Sequence, residues 1–125
     1  MFGKILYPVN QSRESRQAIG MVLNIAKHHQ SHVIVLSVVA DAAAAADVAP
    51  IFEEVTQALA ADGVPHETKV ATGTPAITIC DLADELEVDL IVMGSEGMMV
   101  AEEHPEGSVS QKVVNLSPCA VLVVP

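Results

Sequence analysis

The sequence has no tryptophan, and one tyrosine and two phenylalanines are its only aromatic side chains. Single-stranded nucleic acids are gripped largely by bases stacking on such rings, so a stacking platform can hardly be assembled here. Positive charge is scarce as well: six lysines and arginines face sixteen aspartates and glutamates, for a formal net charge of -10. Such a field repels phosphate backbones and anionic membrane surfaces at long range, so no nucleic acid and no membrane is expected as a partner. The two cysteines, Cys80 and Cys119, lie far apart with neither a CxxC pair nor zinc-ligand spacing. Each falls in an apolar stretch and reads as a small buried hydrophobe, and a structural disulfide is not expected in a reducing compartment. No apolar run reaches the roughly 18 to 20 residues that a membrane-spanning helix requires. The opening MFGKILYPVNQS lacks the basic segment, apolar stretch and small-residue cleavage site of an export signal, which predicts a cytoplasmic protein.

What is present is a chain of 125 residues, 50% of them hydrophobic, a length that suits one domain over residues 1–125. KILYPV (4–9) reads as a strand buried on both faces, followed by polar NQS. From Ser12 to His29 apolar residues recur at three and four, predicting one amphipathic helix with Ser12 or Ser15 at its cap. HVIVLSVV (32–39) is β-branched and continuous, a second interior strand. ADAAAAADVAP (40–50) is low in complexity, and its alanines favour helix while Pro50 disfavours helical geometry at Ala49, so a linker that can hold a helical turn is expected. Ile51 to Asp62 reads as the second helix, with Gly63 as its left-handed stop.

HETKVATG (66–73) alternates more than the earlier strands, as an edge strand does. Thr74 and Pro75 open a third helix with Ile77, Ile79, Leu82, Ala83 and Leu86 as its core face. Asp81, Asp84, Glu85 and Glu87 then form its wet face. DLIVMG, GSVSQKVVNL and PCAVLVV complete the order as strand, helix and strand. This alternation predicts an α/β fold, an open parallel sheet with helices on both faces and right-handed crossovers. Ligands bind such sheets beyond the carboxyl ends of the strands, where strand order reverses. The tails after the first and fourth strands, Asn10 to Ser12 and Gly94 to Gly97, belong there.

Gly94 directly follows the apolar LIVM, and Gly97 permits a second tight turn. Gly107 and Ser108 then open the last helix, whose first amides lack partners and carry the positive end of the dipole. That is a ready anion site. The spacing of Gly94, Gly97 and Gly107-Ser108 resembles the universal stress protein family, in which Gly, two residues, Gly, nine residues and Gly-Ser mark members that bind ATP. KILYPVNQS, VIVLSVV, TGTPAITICDLADELEVDLIVMGS and GSVSQKVVNLSPCAVLVV also look like the family's segments, in family order.

The resemblance implies five parallel strands ordered 3-2-1-4-5 with four helices, an adenine nucleotide alpha hydrolase-like, Rossmann-like arrangement. It also implies a homodimer paired through the last strand, Ala120 to Val124. Pro8, Val9 and Asn10 would line one side of an adenine and ribose pocket, the Val38 backbone would meet the base edge, and Met93 and Gly94 would floor it. Gly97, Gly107, Ser108, Val109 and Ser110 would hold phosphates. The implied function is that of a stress-response regulator that binds ATP or AMP and whose output is binding rather than chemistry.

Two departures bear on that function. Asn10 stands where the family commonly has Asp, and its amide both accepts and donates. Glu96, Glu102, Glu103 and Glu106 crowd the segment between the glycines, while no lysine or arginine occurs between Lys69 and Lys112. A carboxylate about 5 Å from a phosphate oxygen repels it by about 3 kcal/mol at an effective dielectric near 20. Three outcomes follow: the loop swings out, Mg²⁺ or Mn²⁺ bridges carboxylates and phosphates, or the favoured ligand carries fewer charges than ATP. The alternative is a nucleotide-free dimeric interaction module that keeps the fold without the affinity.

Enzyme signatures are thin. Ser95 and Ser108 do not sit in a G-x-S-x-G elbow, and the glycines lack the lysine of a P-loop, so at most slow ATP hydrolysis is expected. His28, His29 and His32 read as a solvated helix end. His104, among glutamates, would titrate upward if they are close in space. Met98 and Met99 could close over a ligand or pack at a dimer contact.

Overall fold

A computed structural model describes residues 1–10, 13–95 and 108–125, with only the backbone of residues 13 and 14. Ser12, Gly97 and Gly107, the methionines Met98 and Met99, and the acidic run with His104 lie outside the described residues. Strands β1 (Lys4–Pro8), β2 (His32–Val39), β3 (His66–Thr72), β4 (Leu90–Gly94) and β5 (Ala120–Val124) form one sheet. Its order is β3-β2-β1-β4-β5, with every neighbouring pair parallel. This is the expected open five-stranded arrangement, and β3 does occupy an edge.

The unbroken apolar runs of the inner strands are explained by cover on both faces. Ile5 and Tyr7 of β1 and Val33 and Val35 of β2 point into one core, with Val22 and Leu59 from the helices above. Leu6, Ile34, Leu36 and Ile91 point the other way, against Ile79, Ala83 and Val113. Ile5, Leu6, Tyr7 and Ile91 are wholly buried.

Three local expectations are corrected. The first helix is two, α1 (Arg13–Gln17) and α2 (Ile19–His29), with a turn at Ala18. The buried Tyr7 hydroxyl donates to the Ser15 carbonyl at 2.5 Å, engaging an oxygen that an unbroken helix would offer to the amide four residues on. Ser15 therefore lies inside α1 rather than at its cap. Next, the alanine-rich stretch is no linker: a 3-10 helix, Ala42–Val48, is capped by Asp41 and runs directly into α3 (Ala49–Ala61). Ala49 is helical at φ -55° and ψ -45°, because Pro50 sits in the first turn, where a missing N–H breaks no helical bond. Gly63, at φ +69°, adopts the left-handed conformation expected after that helix.

Finally, α4 (Pro75–Glu85) buries Ala76, Ile79, Cys80, Leu82 and Ala83, whereas Ile77 is 54% exposed. Positions 76, 79, 80 and 83 make the stripe of three- and four-residue spacing that faces the sheet, and Ile77 falls beside it. Leu86 is partly buried against the same core, and Asp81, Asp84, Glu85 and Glu87 are exposed as expected. The last helix, α5 (Val109–Leu116), precedes β5.

Candidate functional site

Strand order reverses between β1 and β4, and at the carboxyl ends of these strands the surface dips. Pro8, Val9, Asn10 and Val38 line one side of the crevice, and Met93, Gly94 and Val109 line the other. Its volume is about 80 Å³, less than a base with its sugar needs, so a nucleotide seated there would rest partly on the rim. Pro75 and Ile79 complete the wall. Both were legible only as a helix start and a core residue, and nothing in their spacing marks them as site residues.

Each wall is set by local bonding. Val9 N–H donates to the Leu36 carbonyl at 2.7 Å, extending β1 past its last ladder pair, Pro8 with Leu36. The exposed Asn10 is held by its backbone: its N–H donates to Ser15 Oγ and its C=O accepts from the same hydroxyl, both at 3.0 Å. On the other wall Gly94 pairs with Val124, and Ser95 N–H donates to the Val124 carbonyl. Met93 is 3% exposed.

Val38 is placed by strand alternation. Leu36 offers its carbonyl to the β1 side, and Val39 offers its own to Gly73 on the β3 side. Two residues beyond Leu36, the N–H and C=O of Val38 therefore face the β1 side, where β1 has already ended. Among the described residues no backbone hydrogen bond outside the ladders involves Val38. One donor and one acceptor, side by side, are thus presented at the rim of the crevice.

The start of α5 is less open than its sequence suggests. Ser108 caps the helix: Ser108 Oγ accepts from Gln111 N–H at 3.1 Å, and Gln111 Oε1 accepts from Ser108 N–H at 3.2 Å. This reciprocal box engages two of the amides that would otherwise face an anion. The hydroxyls of Ser108 and Ser110, both buried, lie 3.2 Å apart and bond to each other. The amides of Val109 and Ser110 have no backbone partner among the described residues.

Among the described residues no charged side chain lines the crevice, and no group of three or more metal-ligating side chains occurs. Among the described residues on these walls, the Asn10 amide oxygen is the one side-chain donor that a divalent ion would find. His28 and His32 do not share a helix, since α2 ends at His29 and β2 begins at His32. His28 Nδ1 bonds the Asn24 carbonyl at 2.9 Å, and His32 Nε2 lies 3.5 Å from Glu67.

A second cleft adjoins the first on the opposite face of the sheet edge. It shares Asn10 and Val38 and is otherwise walled by Ser37, Val39, Asp47 and Ile51 together with Ala44 and Val48. Its volume is about 390 Å³. Beyond the shared Asn10 and Val38, sequence reasoning placed nothing here, because its outer wall is the 3-10 helix that was expected to be a linker.

The chain is similar to known proteins over its whole length. It is 41% identical to Universal stress protein Sll1654 of Synechocystis sp., across 100% of this chain and 87% of that protein. A universal stress protein solved in complex with cAMP superposes with a TM-score of 0.86 at 25% identity, covering 98% of this chain and 96% of that one. The hypothetical protein MJ0577, solved for structure-based assignment of its biochemical function, gives 0.85 at 27% identity, covering 99% and 96%. No helix among the described residues is long and apolar enough to cross a membrane. With the model of the universal stress protein family matching residues 1–125, on a sheet of the expected order, the chain belongs to that family.

Proposed function

We propose that the chain is an adenine-nucleotide-binding stress-response regulator, with the crevice at the ends of β1 and β4 as its ligand site. The observation that carries this reading is the backbone of Val38. Its N–H and C=O stand side by side at the rim, complementary to the N1 acceptor and N6 donor of adenine. Pro8, Val9 and Met93 supply apolar contact for the base, and Asn10 reaches the ribose. The amides of Val109 and Ser110, at the positive end of α5, meet the nearest phosphate, and the family resemblance assigns Gly97 and Gly107 to the phosphates as well. The similarity to a universal stress protein that binds cAMP supports an adenine ligand of low charge.

Low charge also suits the electrostatics. With the Ser108 and Gln111 amides engaged by the capping box and no cation among the described residues on the walls, AMP or cAMP is favoured over free ATP. ATP then requires Mg²⁺ or Mn²⁺, held by its phosphates and by the glutamates of the 96–106 segment. The output is binding rather than turnover: ligand occupancy alters the surface that partners meet. A second copy pairs along β5, an edge strand whose Val121 to Val124 are half-buried.

The engaged amides and the small crevice favour one other reading, a nucleotide-free dimeric module. Calorimetry with AMP, cAMP and ATP, each with and without Mg²⁺ or Mn²⁺, separates the two. Heat from AMP or cAMP alone, and from ATP only with metal, is expected. Absence of heat in every combination at millimolar ligand leaves the module.

A further inference from the structure

The second cleft has no part in the reading above, yet it is the larger cavity and begins where the first one ends. Its volume of about 390 Å³ falls within the range of about 300 to 1,000 Å³ typical of small-molecule sites. Val39, Val48 and Ile51 make it apolar, and Val48 and Ile51 are buried beneath it. Ser37 also lines it. That side chain is 2% exposed, and its hydroxyl has no hydrogen-bond partner among the described residues. A buried hydroxyl left without a partner costs free energy that a ligand group or water must offset. The exposed carboxylate of Asp47 on the same wall disfavours an anionic occupant.

The two cavities share Asn10 and Val38. A base that meets the Val38 backbone along its N1–N6 edge therefore holds N6 beside a residue that also lines the second cleft. One substituent on N6, turned to the N7 side, leaves the N–H beside N1 to donate to the Val38 carbonyl, so the base contact survives while the substituent passes the rim. We propose that the site takes an adenine nucleotide whose N6 carries an apolar group ending in a hydroxyl. The apolar part fills the cleft between Val39, Val48 and Ile51, and the hydroxyl bonds Ser37. This rests on the adenine reading of the crevice.

The probe is N6-(3-hydroxybenzyl)-AMP, titrated by calorimetry beside AMP. The wild-type chain is expected to bind the probe at least about tenfold tighter than AMP, the discrimination that a well-filled apolar pocket supplies. Ala44→Phe fills the cleft from the 3-10 helix, and Ser37→Ala removes the hydroxyl; neither residue lines the first crevice. Ala44→Phe should lose the preference and Ser37→Ala should reduce it, and both should keep the wild-type affinity for AMP. Equal or weaker binding of the probe by wild type, or a preference undiminished in Ser37→Ala, overturns the proposal while the AMP site stands. If AMP itself fails to bind, the adenine reading falls and takes this one with it.

Discussion

A single hydroxyl, Ser15 Oγ, fixes Asn10 from both sides, accepting from its N–H and donating to its C=O at 3.0 Å each. Ser15 is 2% exposed and its own carbonyl is engaged by the Tyr7 hydroxyl. The position of Asn10 at the crevice is thus transmitted from the core. Ser15→Ala deletes both bonds and should lower stability by about 1 to 3 kcal/mol, since each is worth roughly 0.5 to 1.5. It should also weaken AMP binding, while Ser15→Thr, which retains the hydroxyl, restores part of both. Unchanged binding in a destabilised Ser15→Ala chain would show that the Asn10 backbone is not part of the site.

Tyr7 makes stability fall at alkaline pH. Burial, and secondly the negative charge of Glu54, hold its phenol well above the ordinary value of 10.0. In the unfolded chain the phenol loses its proton near pH 10, while the folded chain retains it. The folded state then binds more protons, so its stability is full below about pH 10 and declines above it. Tyr7 is the only tyrosine and there is no tryptophan, so phenolate absorbance near 295 nm reports this group alone. Its ionisation should coincide with loss of helical circular dichroism, and Tyr7→Phe should abolish this part of the alkaline loss.

The two thiols should react in sequence. Cys80 is 7% exposed, and its Sγ–H reaches the Val113 carbonyl at 3.8 Å. Burial first, then the neighbouring Asp81 charge and Cys119, push its thiol upward, disfavouring the reactive thiolate. Cys119, just before β5, is only half-buried. A disulfide-exchange reagent at neutral pH should modify Cys119 quickly and Cys80 only on unfolding. Rapid modification of both would mean that α4 lifts from the sheet more readily than its packing implies.

These particulars show which parts of the molecule were legible in the sequence. Continuous β-branched runs such as HVIVLSVV fix their own strand and its burial on both faces, so the strands and layers could be read directly, while the order of the strands came only with the family resemblance. Breaks caused by one distant atom could not. The split at Ala18 follows from a phenol on β1, and the periodicity of residues 12–29 carries no trace of it. Pro50 misled in the opposite sense, because proline interrupts a helix only beyond its first turn and local sequence did not locate that turn. In the candidate site, Asn10 and Gly94 were placed by the topology rule and Pro8, Val9, Val38 and Met93 by the family resemblance, whereas Pro75 and Ile79 arrive from a helix whose approach only packing decides. The capping box was hidden for a related reason: Ser108 and Gln111 have the spacing for it, but the same amides also suit an anion. Sequence alone does not say which partner they take.

That competition yields the sharpest test of the anion site. Val109 is the first residue of α5, a position where proline is well accommodated because its fixed φ is already helical. Val109→Pro therefore deletes one of the two amides left open by the capping box, with little disturbance to the helix. Its side chain packs only partly against the core, so a change in melting temperature of no more than a few degrees is expected. If the N-terminus of α5 holds a phosphate, affinity for AMP should fall about tenfold, the effect of losing one charge-assisted hydrogen bond of roughly 1.5 kcal/mol, while adenosine is hardly affected. Equal losses for AMP and adenosine would place the defect at the base, and no loss for either would mean that the phosphate lies elsewhere. Ser108→Ala offers the converse experiment. It removes the cap at a cost of about 1 kcal/mol and releases the Gln111 amide, so a less stable chain that binds AMP as well or better would show that cap and ligand compete for one end of the helix.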